Sequence, residues 1–477
     1  MNYKMIRYIL GCMLIFEAFF LLVPALVAVI YGESALKAVL ITIAACIVSG
    51  GLLVLKKPAN TDLYSREGFV IVSLCWIILS IFGALPFVIS GAIPDYTDAL
   101  FETVSGFTTT GASILSEVES LPKCMLMWRS FTHWVGGMGV LVFVMAFIPL
   151  SGGQNIHIMK AESPGPSVRK LVPRVRTTAL ILYSIYFVLT FLEFIFLLFG
   201  GMSVFDSVNI SLATAGTGGF GIKNDSLGSN SPYVQIVVTV FMLLFSINFT
   251  SYYLILTLKL KEAFNVELRT FLIIVFSAVL IITLNVRDMF GSTGEAVRHV
   301  SFSVASIIST TGFSTVDFNL WPELSRTILV LIMFIGACAG STGGGIKVSR
   351  VIILFKSLSK ELEMMIHPKQ VKKITVDHRP VEHETIRAVN GFILCYILIF
   401  VISVVAVSFD NHDMITNFTA VSAAINNIGP GLELVGPTQN FKFFSVPSKL
   451  VLIFDMLAGR LELFPMLLLF NKATWKK

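Results

Sequence analysis

The sequence predicts an all-α polytopic membrane protein with about ten transmembrane helices and four re-entrant loops. Of its 477 residues, 55% are hydrophobic and only 13% are charged, which is more apolar surface than a water-soluble chain of this length can bury. The apolar runs have the length of helices rather than of β-barrel strands. A short segment centred on glycine also recurs four times, each time between two such runs. These three observations together indicate a repeated helical architecture.

Ten runs are long and apolar enough to cross a bilayer as helices. They cover residues 8–30, 36–55, 68–91, 129–150, 178–200, 233–258, 270–288, 327–355, 388–409 and 448–470. The first run contains Glu17 and no small-residue cleavage site, so it is predicted to be a retained helix rather than a signal peptide. With the second run it forms an accessory hairpin over 1–56. The other eight runs pair into four repeats over 67–158, 177–260, 268–358 and 385–477.

Lys and Arg are unevenly distributed among the segments that connect the runs. If the N-terminus is cytoplasmic, the inner segments hold 24 of the 35 Lys and Arg residues. Because these residues mark the cytoplasmic side, the sequence predicts a multi-pass protein of the cell (inner) membrane with its glycine segments toward the outer face. The longest inner segment, 356–387, is basic. Its charge either contacts anionic lipid headgroups or forms a docking surface for a soluble partner.

The four glycine segments align on one central glycine each and read T-T-T-G-A-S, G-T-G-G-F-G, S-T-T-G-F-S and N-N-I-G-P-G. The residue six positions before the glycine is always small, and the residue two positions before it is always polar. Upstream lie about three turns of weakly apolar sequence, enough for a half-helix and too short for a span. Each segment is therefore predicted to be a re-entrant helix followed by a loop.

Such loops suit the coordination of a monovalent cation. Irregular backbone survives at membrane depth only where it lines a water-filled cavity or is buried in protein. Rings of carbonyl oxygens can replace the hydration shell of an alkali cation, and glycine allows the backbone conformations and the close approach that this requires. The aligned positions carry no ring of acidic side chains, which argues against a Ca²⁺ site. Close helix packing by small residues does not explain four copies in phase.

The predicted ion-binding filter takes three consecutive residues from each segment. These are Thr109, Thr110, Gly111, Thr217, Gly218, Gly219, Thr310, Thr311, Gly312, Asn427, Ile428 and Gly429.

A second glycine cluster lies inside the eighth run, in A-C-A-G-S-T-G-G-G-I-K, and should break that helix. A break beneath a filter is predicted to act as a gate; the alternative is a tightly packed kink. Arg460, a charge at membrane depth, should face the protein interior. It either donates to carbonyls of the break or pairs with Asp455 or Glu193, while Lys347 either faces the pore or extends to the inner surface. The predicted gate comprises Gly340, Ser341, Thr342, Gly343, Gly344, Gly345, Lys347 and Arg460.

Together, the four glycine segments, the A-G-S-T-G-G-G-I-K cluster and G-R-L-E-L-F in the last run resemble the Trk/Ktr/HKT superfamily of K⁺ transport proteins. The resemblance covers nearly the whole chain, and the N-terminal hairpin is similar to that of TrkH-type membrane subunits. It implies four repeats around a pseudo-fourfold pore with one filter, a gate at 340–347 aided by Arg460, and K⁺ as the transported ion without a bound cofactor. In the plant branch, Ser at the position of Gly111 accompanies Na⁺ preference, so glycine there favours K⁺.

The resemblance also implies partners. The family forms homodimers and docks a cytoplasmic ring of nucleotide-binding, TrkA-like regulatory subunits, which would contact the basic inner segments. Membrane lipids are the other expected partners, and the sequence indicates no nucleic acid. The G-S-T-G-G-G-I-K stretch lacks the adjacent Gly-Lys-Ser/Thr of a P-loop, so no nucleotide site is predicted within this chain.

The leading function is therefore uptake of K⁺, and also of Rb⁺, through a backbone-carbonyl filter. K⁺ symport coupled to H⁺ or Na⁺ is an alternative, for which Glu17, Glu193 and Asp455 are the titratable candidates at mid-membrane. A Na⁺-permeable relative is another. A membrane enzyme is disfavoured, because the histidines (His133, His157 and His299 among them) are dispersed.

Overall fold

The computed structural model describes residues 1–58, 63–137, 139, 175–368, 373–377 and 379–475. The later part of the predicted fourth run, the segment 160–174, His157 and part of the basic segment 356–387 lie outside these residues. The described part of the chain is mostly helical. It contains two short strands, β1 (Thr375–Val376) and β2 (Arg379–Pro380), which pair antiparallel.

The N-terminal hairpin consists of α1 (Tyr3–Phe20), α2 (Leu22–Tyr31) and α3 (Leu36–Val54). The first two helices together make one apolar span of 29 residues. The arms of the hairpin meet at two small residues. A Cβ atom on Gly11 would lie 2.8 Å from the Gly50 carbonyl oxygen, and the reverse distance is the same. Glycine at both positions therefore lets the two backbones approach closely.

The helices of the four repeats follow in chain order. Repeat one has α4 (Ser65–Gly83), α5 (Leu85–Ser90), α6 (Tyr96–Phe107) and α7 (Lys123–Gly137). Repeat two has α8 (Val175–Phe199), α9 (Val204–Gly216), α10 (Pro232–Phe245) and α11 (Phe249–Leu256), followed by the short α12 (Leu260–Ala263). Repeat three has α13 (Val266–Val286), α14 (Thr293–Ile308), α15 (Glu323–Ile335) and α16 (Val348–Ile366). Repeat four has α17 (His383–Val407), α18 (Met414–Ile425), α19 (Val446–Arg460) and α20 (Phe464–Phe470), and α21 (Lys472–Trp475) ends the described chain.

The second helix of three repeats is broken, which the sequence predicted for repeat three alone. The predicted span over 233–258 consists of two helices, α10 and α11, which are bent by 91° relative to each other. Asn248 makes this bend by accepting a hydrogen bond from the Thr250 amide and so starting a new helix. The predicted span 448–470 is also divided, at Glu462 and Leu463, which both have positive φ. Neither break lies in a glycine cluster, although Pro465 follows the second break in the first turn of α20.

Six helices of the described residues are long and apolar enough to cross a membrane, and the bent pair α10–α11 makes seven if it counts as one span. Several predicted runs are missing from this number because they are broken or lie partly outside the described residues. The broad outward display of Phe, Leu, Ile and Val side chains on these helices is what lipid would cover. The chain is thus an integral membrane protein whose short helices α6, α9, α14 and α18 are buried within it.

Candidate functional site

The four short helices α6, α9, α14 and α18 begin and end in the same way. Each has an N-cap side chain that accepts a hydrogen bond from the backbone amide three residues later. The caps are Asp95, Ser203, Ser292 and Asp413. At the C-terminus, the backbone leaves each helix through a Schellman motif. In each motif, the residue just before the aligned glycine donates its amide hydrogen to the carbonyl of the small residue five positions earlier. These bonds are Thr110–Ser105, Gly218–Ala213, Thr311–Ser306 and Ile428–Ala423, at 2.9 to 3.0 Å.

The residue two positions before each aligned glycine has the left-handed backbone conformation. The φ angles are 57° at Thr109, 55° at Thr217, 61° at Thr310 and 54° at Asn427. Asn tolerates this region, whereas a β-branched threonine there is an outlier that costs of order 1–3 kcal/mol. Such strain persists only where the surrounding structure over-determines the conformation. The fourth segment, the most divergent in sequence, thus has the same backbone shape as the other three.

The four aligned glycines form a closed ring. A Cβ atom on each would collide with the carbonyl oxygen that precedes the aligned glycine of the next repeat. The distances are 1.9 Å from Gly111 to Gly218, 1.9 Å from Gly219 to Thr311, 2.1 Å from Gly312 to Ile428 and 2.9 Å from Gly429 to Thr110. The last contact returns to the first repeat, so the order one–two–three–four closes on itself. All four glycines also have positive φ, so glycine is required both by conformation and by space.

A recess of about 150 Å³ opens on the side of the ring toward which the four segments continue. All four ring glycines line it, together with polar side chains such as Ser113, Asn224 and Asn440. The predicted filter residues are therefore brought together around one axis. The arrangement places four backbone carbonyls, from Thr110, Gly218, Thr311 and Ile428, within one ring of glycine contacts.

Behind the ring lies a buried ion pair that the sequence did not indicate. Arg129 of α7 pairs with Glu102 of α6 at 2.8 Å, and both side chains are almost fully buried. Glu102 also accepts hydrogen bonds from the Ser113 hydroxyl and the Ile114 amide, both in the first glycine segment's outgoing chain. Arg129 donates to the Gly221 carbonyl of repeat two at 3.1 Å. The pair therefore braces two neighbouring segments at once.

His133 braces the same two segments one helical turn further along α7. Its Nδ1 donates to the Gly106 carbonyl at 2.8 Å, and its Nε2 accepts from the Phe220 amide at 3.3 Å. A Cβ atom on Gly218 would lie 2.1 Å from the histidine ring. His133 therefore holds the backbone of the second segment in place, a role that its isolated position in the sequence gave no reason to expect.

The Gly-rich loop, residues 336–347, lies directly against the C-terminal ends of the short helices. The Gly344 amide donates to the Thr310 hydroxyl at 2.6 Å. A Cβ atom on Gly343 would be 2.7 Å from the Ser309 carbonyl oxygen, and one on Gly344 would be 2.3 Å from that of Asn426. The loop is thus held beneath the glycine ring, in contact with repeats three and four.

The same loop also contacts repeat two, and Arg460 of repeat four links it to repeat one. Arg460 donates to the Thr342 carbonyl at 2.8 Å and to the Gly136 and Gly137 carbonyls of α7 at 2.5 and 2.6 Å. Repeat one lies diagonally opposite repeat three in the ring. On the repeat-two side, the Thr342 amide bonds the Phe245 carbonyl at the end of α10. The loop therefore contacts repeats two, three and four directly and is linked to repeat one through Arg460.

Three other charged side chains near the loop also have bonding partners. The Lys347 ammonium donates to the Gly343 carbonyl, so Lys347 folds back on the loop. Arg350 and Glu462 form an ion pair just beyond it, and the Arg350 guanidinium lies 4.1 Å from the centre of the Phe392 ring. Arg460 therefore bonds loop and helix carbonyls, and Glu462 points to a different partner.

The three mid-membrane acids have neighbours other than the ring glycines. Glu17 lies against Gly83 of α4, and Glu193 lies beside Thr214 of α9. Asp455 accepts a hydrogen bond from the Ser403 hydroxyl at 2.7 Å. Among the described residues, none of the three carboxyl groups has a hydrogen bond to a predicted filter residue. The described residues also contain no cluster of His, Cys, Asp or Glu that could hold a metal ion.

Comparison with known proteins agrees with this geometry. A family model described as TrkH, cation transport protein, matches residues 35–477. The Trk system potassium uptake protein TrkH of Escherichia coli K12 is 36% identical over the full length of both chains. The Trk system potassium uptake protein TrkG of the same organism is 32% identical over 99% of each chain. The crystal structure of the potassium transporter TrkH from Vibrio parahaemolyticus superimposes with a TM-score of 0.90 and 32% identity, over all of both chains.

Proposed function

This chain belongs to the TrkH family of cation transport proteins, and from that premise we propose that it mediates K⁺ uptake, with Rb⁺ as a substitute ion. The observation that carries the proposal is the closed ring in which each aligned glycine contacts the carbonyl of the next repeat. A ring of backbone carbonyls supplies oxygen ligands of the kind that replace the hydration shell of an alkali cation.

The twelve filter residues are the four ring glycines and the two residues that precede each of them. Thr110, Gly218, Thr311 and Ile428 contribute the ring carbonyls described above, and the left-handed residue before each one aims the backbone inward. The bracing by Glu102, Arg129 and His133 supports this assignment, because a filter must keep its ligands at fixed spacing. Transport through such a filter needs no cofactor and no covalent chemistry by the protein.

The Gly-rich loop with Arg460 is the gate. It crosses the axis beneath the filter, and small residues at Gly343 and Gly344 let it lie against the helix ends. Its neutral hydrogen bonds are worth on the order of 1 kcal/mol each, and those to charged side chains about 1.5–3 kcal/mol. A loop held by several such bonds can exchange between a crossing and a retracted position at a small cost.

The chain lies in the cell membrane with its N-terminus cytoplasmic, as the distribution of Lys and Arg favours. The filter then faces outward and the Gly-rich loop faces the cytoplasm. The protein acts as a homodimer, and a cytoplasmic nucleotide-binding subunit docks on the basic inner segments. The name Trk system, carried by the relatives above, supports a system of several components.

The test is cation flux into liposomes that hold the purified protein. Uptake of radioactive Rb⁺ is driven by an outward K⁺ gradient and competed with K⁺, Na⁺ and Li⁺, with and without a pH gradient. Competition by K⁺ but not by Na⁺ or Li⁺, independent of pH, is the expected result. Uptake that depends on a H⁺ or Na⁺ gradient would contradict the uncoupled pore and assign coupling to Glu17, Glu193 or Asp455.

A further inference from the structure

One carboxylate outside the pore holds both ends of the Gly-rich loop. Glu267, in the first turn of α13, accepts hydrogen bonds through Oε1 from the Ala339 amide at 2.7 Å and the Ser349 amide at 3.2 Å. Ala339 precedes the glycine cluster, and Ser349 is the second residue of α16. The two ends of the cluster are thereby tied to one atom of a third helix.

This carboxylate supplies what the local sequence lacks. The N-cap position of α16 is Lys347, whose side chain makes no capping bond to the helix and whose φ is 83°. The first amides of a helix need acceptors, and a negative charge there is favoured by the helix dipole. Glu267 therefore serves as an external cap for α16 and fixes the point at which the loop ends.

The helix that carries Glu267 is itself tied to the segment between α16 and α17. Asp377, between β1 and β2, accepts a hydrogen bond from the Val266 amide at 2.8 Å. Val266 is the first residue of α13 and the neighbour of Glu267. Lys356 of α16 also donates to the Thr375 carbonyl of β1 at 2.7 Å. Asp377 thus links the turn between the two strands to Val266, the residue next to Glu267.

We infer that Glu267 is a positioning residue that holds the Gly-rich loop across the axis, and that β1 and β2 act on it through Asp377. This inference rests on the proposed function, because it gives the loop control over K⁺ flux. A force or displacement at the two strands moves the start of α13, shifts the Glu267 carboxylate and loosens the ends of the loop. The filter has no part in this route, so ion selectivity is preserved.

The experiment compares basal Rb⁺ flux in liposomes for the wild-type protein, Glu267→Gln, Asp377→Asn and the double variant. Ser277→Ala is the matched control, because it also removes a hydrogen-bonding side chain of α13, one that donates to the Ile273 and Ile274 carbonyls of its own helix. Glu267→Gln should raise basal flux at least about threefold, in keeping with the loss of a charge-assisted hydrogen bond, with the K⁺/Na⁺ ratio unchanged. Asp377→Asn should raise it less, and the double variant should equal Glu267→Gln.

Unchanged or lower flux in Glu267→Gln would overturn the inference, as would an equal rise in Ser277→Ala. If the two single effects multiply in the double variant, Asp377 does not act through Glu267. Asp377→Asn keeps the test usable if Glu267→Gln folds poorly, because Asp377 lies outside the helices. Growth of K⁺-uptake-deficient cells on low K⁺ tests the proposed function separately. If the wild-type protein restores growth but none of these variants changes the flux, the proposed function stands and this inference is wrong.

Discussion

The four ring glycines are not equally crowded, and this difference is testable residue by residue. A Cβ atom would lie 1.9 to 2.1 Å from a carbonyl oxygen at Gly111, Gly219 and Gly312, and 2.9 Å away at Gly429. Alanine or serine at the first three must therefore displace backbone that also supplies the ring carbonyls. We expect Gly312→Ser and Gly219→Ala to lower the K⁺/Na⁺ flux ratio strongly and Gly429→Ala to lower it less.

The control for this series is Gly391→Ala in α17, where a Cβ atom would meet no neighbour within 4 Å. Flux ratios are measured in liposomes for each variant after its folding has been checked by size-exclusion chromatography. An unchanged ratio in folded Gly312→Ser would remove the ring from the filter. Equal losses at Gly219 and Gly429 would show that positive φ, rather than space, decides the effect.

Thr310 and Thr109 occupy aligned positions but differ in one bond. The Thr310 hydroxyl accepts the Gly344 amide of the Gly-rich loop, whereas the Thr109 hydroxyl has no hydrogen-bond partner among the described residues. Valine keeps the shape of threonine, so Thr310→Val leaves a buried amide unpaired at a cost of about 1–3 kcal/mol. We expect it to raise basal Rb⁺ flux, whereas Thr109→Val should not. Thr310→Ser, which keeps the hydroxyl, should behave as wild type.

The ring residues could be predicted from sequence because their requirement is local. Each segment needs a small residue at the helix end, then a left-handed residue, then a glycine with positive φ. These three positions have the same spacing in all four copies. The braces could not be predicted. Glu102 and Arg129 are 27 residues apart, and Glu267 and Ala339 are 72 apart. No period or motif links such pairs, because only the packing of separate helices brings them together.

At the scale of elements, α6 and α7 are joined by a charge pair that also fixes the first two glycine segments. Glu102→Gln would leave the buried Arg129 guanidinium without its counter-charge, and breaking such pairs costs about 3–5 kcal/mol. Because Glu102 and Arg129 together bond Ser113, Ile114 and Gly221, we expect a lower K⁺/Na⁺ flux ratio as well as a lower melting temperature. A variant that is less stable but fully selective would limit the pair to a structural role.

The matched control for Glu102→Gln is Arg287→Gln. Arg287 pairs with Asp288 in a solvent-exposed turn, where ion pairs contribute about 0–1 kcal/mol. Neither its melting temperature nor its flux ratio should differ measurably from wild type. A drop in the ratio for this control would mean that the assay responds to any lost charge.

The broken helices show where prediction from sequence ends at this scale. The break between α15 and α16 was predicted because glycines are poor helix formers. The bend between α10 and α11 has no such mark in the sequence. There the Ser246 carbonyl, freed from the helix, accepts the Cys338 amide, and the Gly340 carbonyl accepts the Phe249 amide. The bend frees backbone groups of α10 and α11, and the Gly-rich loop supplies their hydrogen-bond partners. The same bonds hold the loop in place.

At the scale of the whole molecule, the four repeats meet at seams of different kinds. Repeats two and three are joined by backbone bonds, such as that from the Leu227 amide to the Ser314 carbonyl at 3.0 Å. Repeats three and four are joined by the ion pair of Arg326 and Glu433. The sequence predicted the repeats and their pseudo-fourfold order but not these seams, because the side chains that form them are not aligned between repeats.

The seam between repeats four and one decides whether the ring closes, because it joins segments that are far apart in the chain. Lys449 of α19 pairs with Asp98 of α6 at 2.5 Å, across 351 residues, and both side chains are largely buried. Asp98→Asn should leave the ammonium without its counter-charge and loosen the packing of α19 on α6, the helix that leads into the first glycine segment. We expect a lower melting temperature and a lower K⁺/Na⁺ flux ratio, with Asp288→Asn in an exposed pair as the neutral control. The Lys449 pair does not bond the Gly-rich loop, so any rise in basal flux should be accompanied by a lower K⁺/Na⁺ flux ratio. A variant with higher basal flux and an unchanged K⁺/Na⁺ ratio would show that ring closure does not depend on this seam.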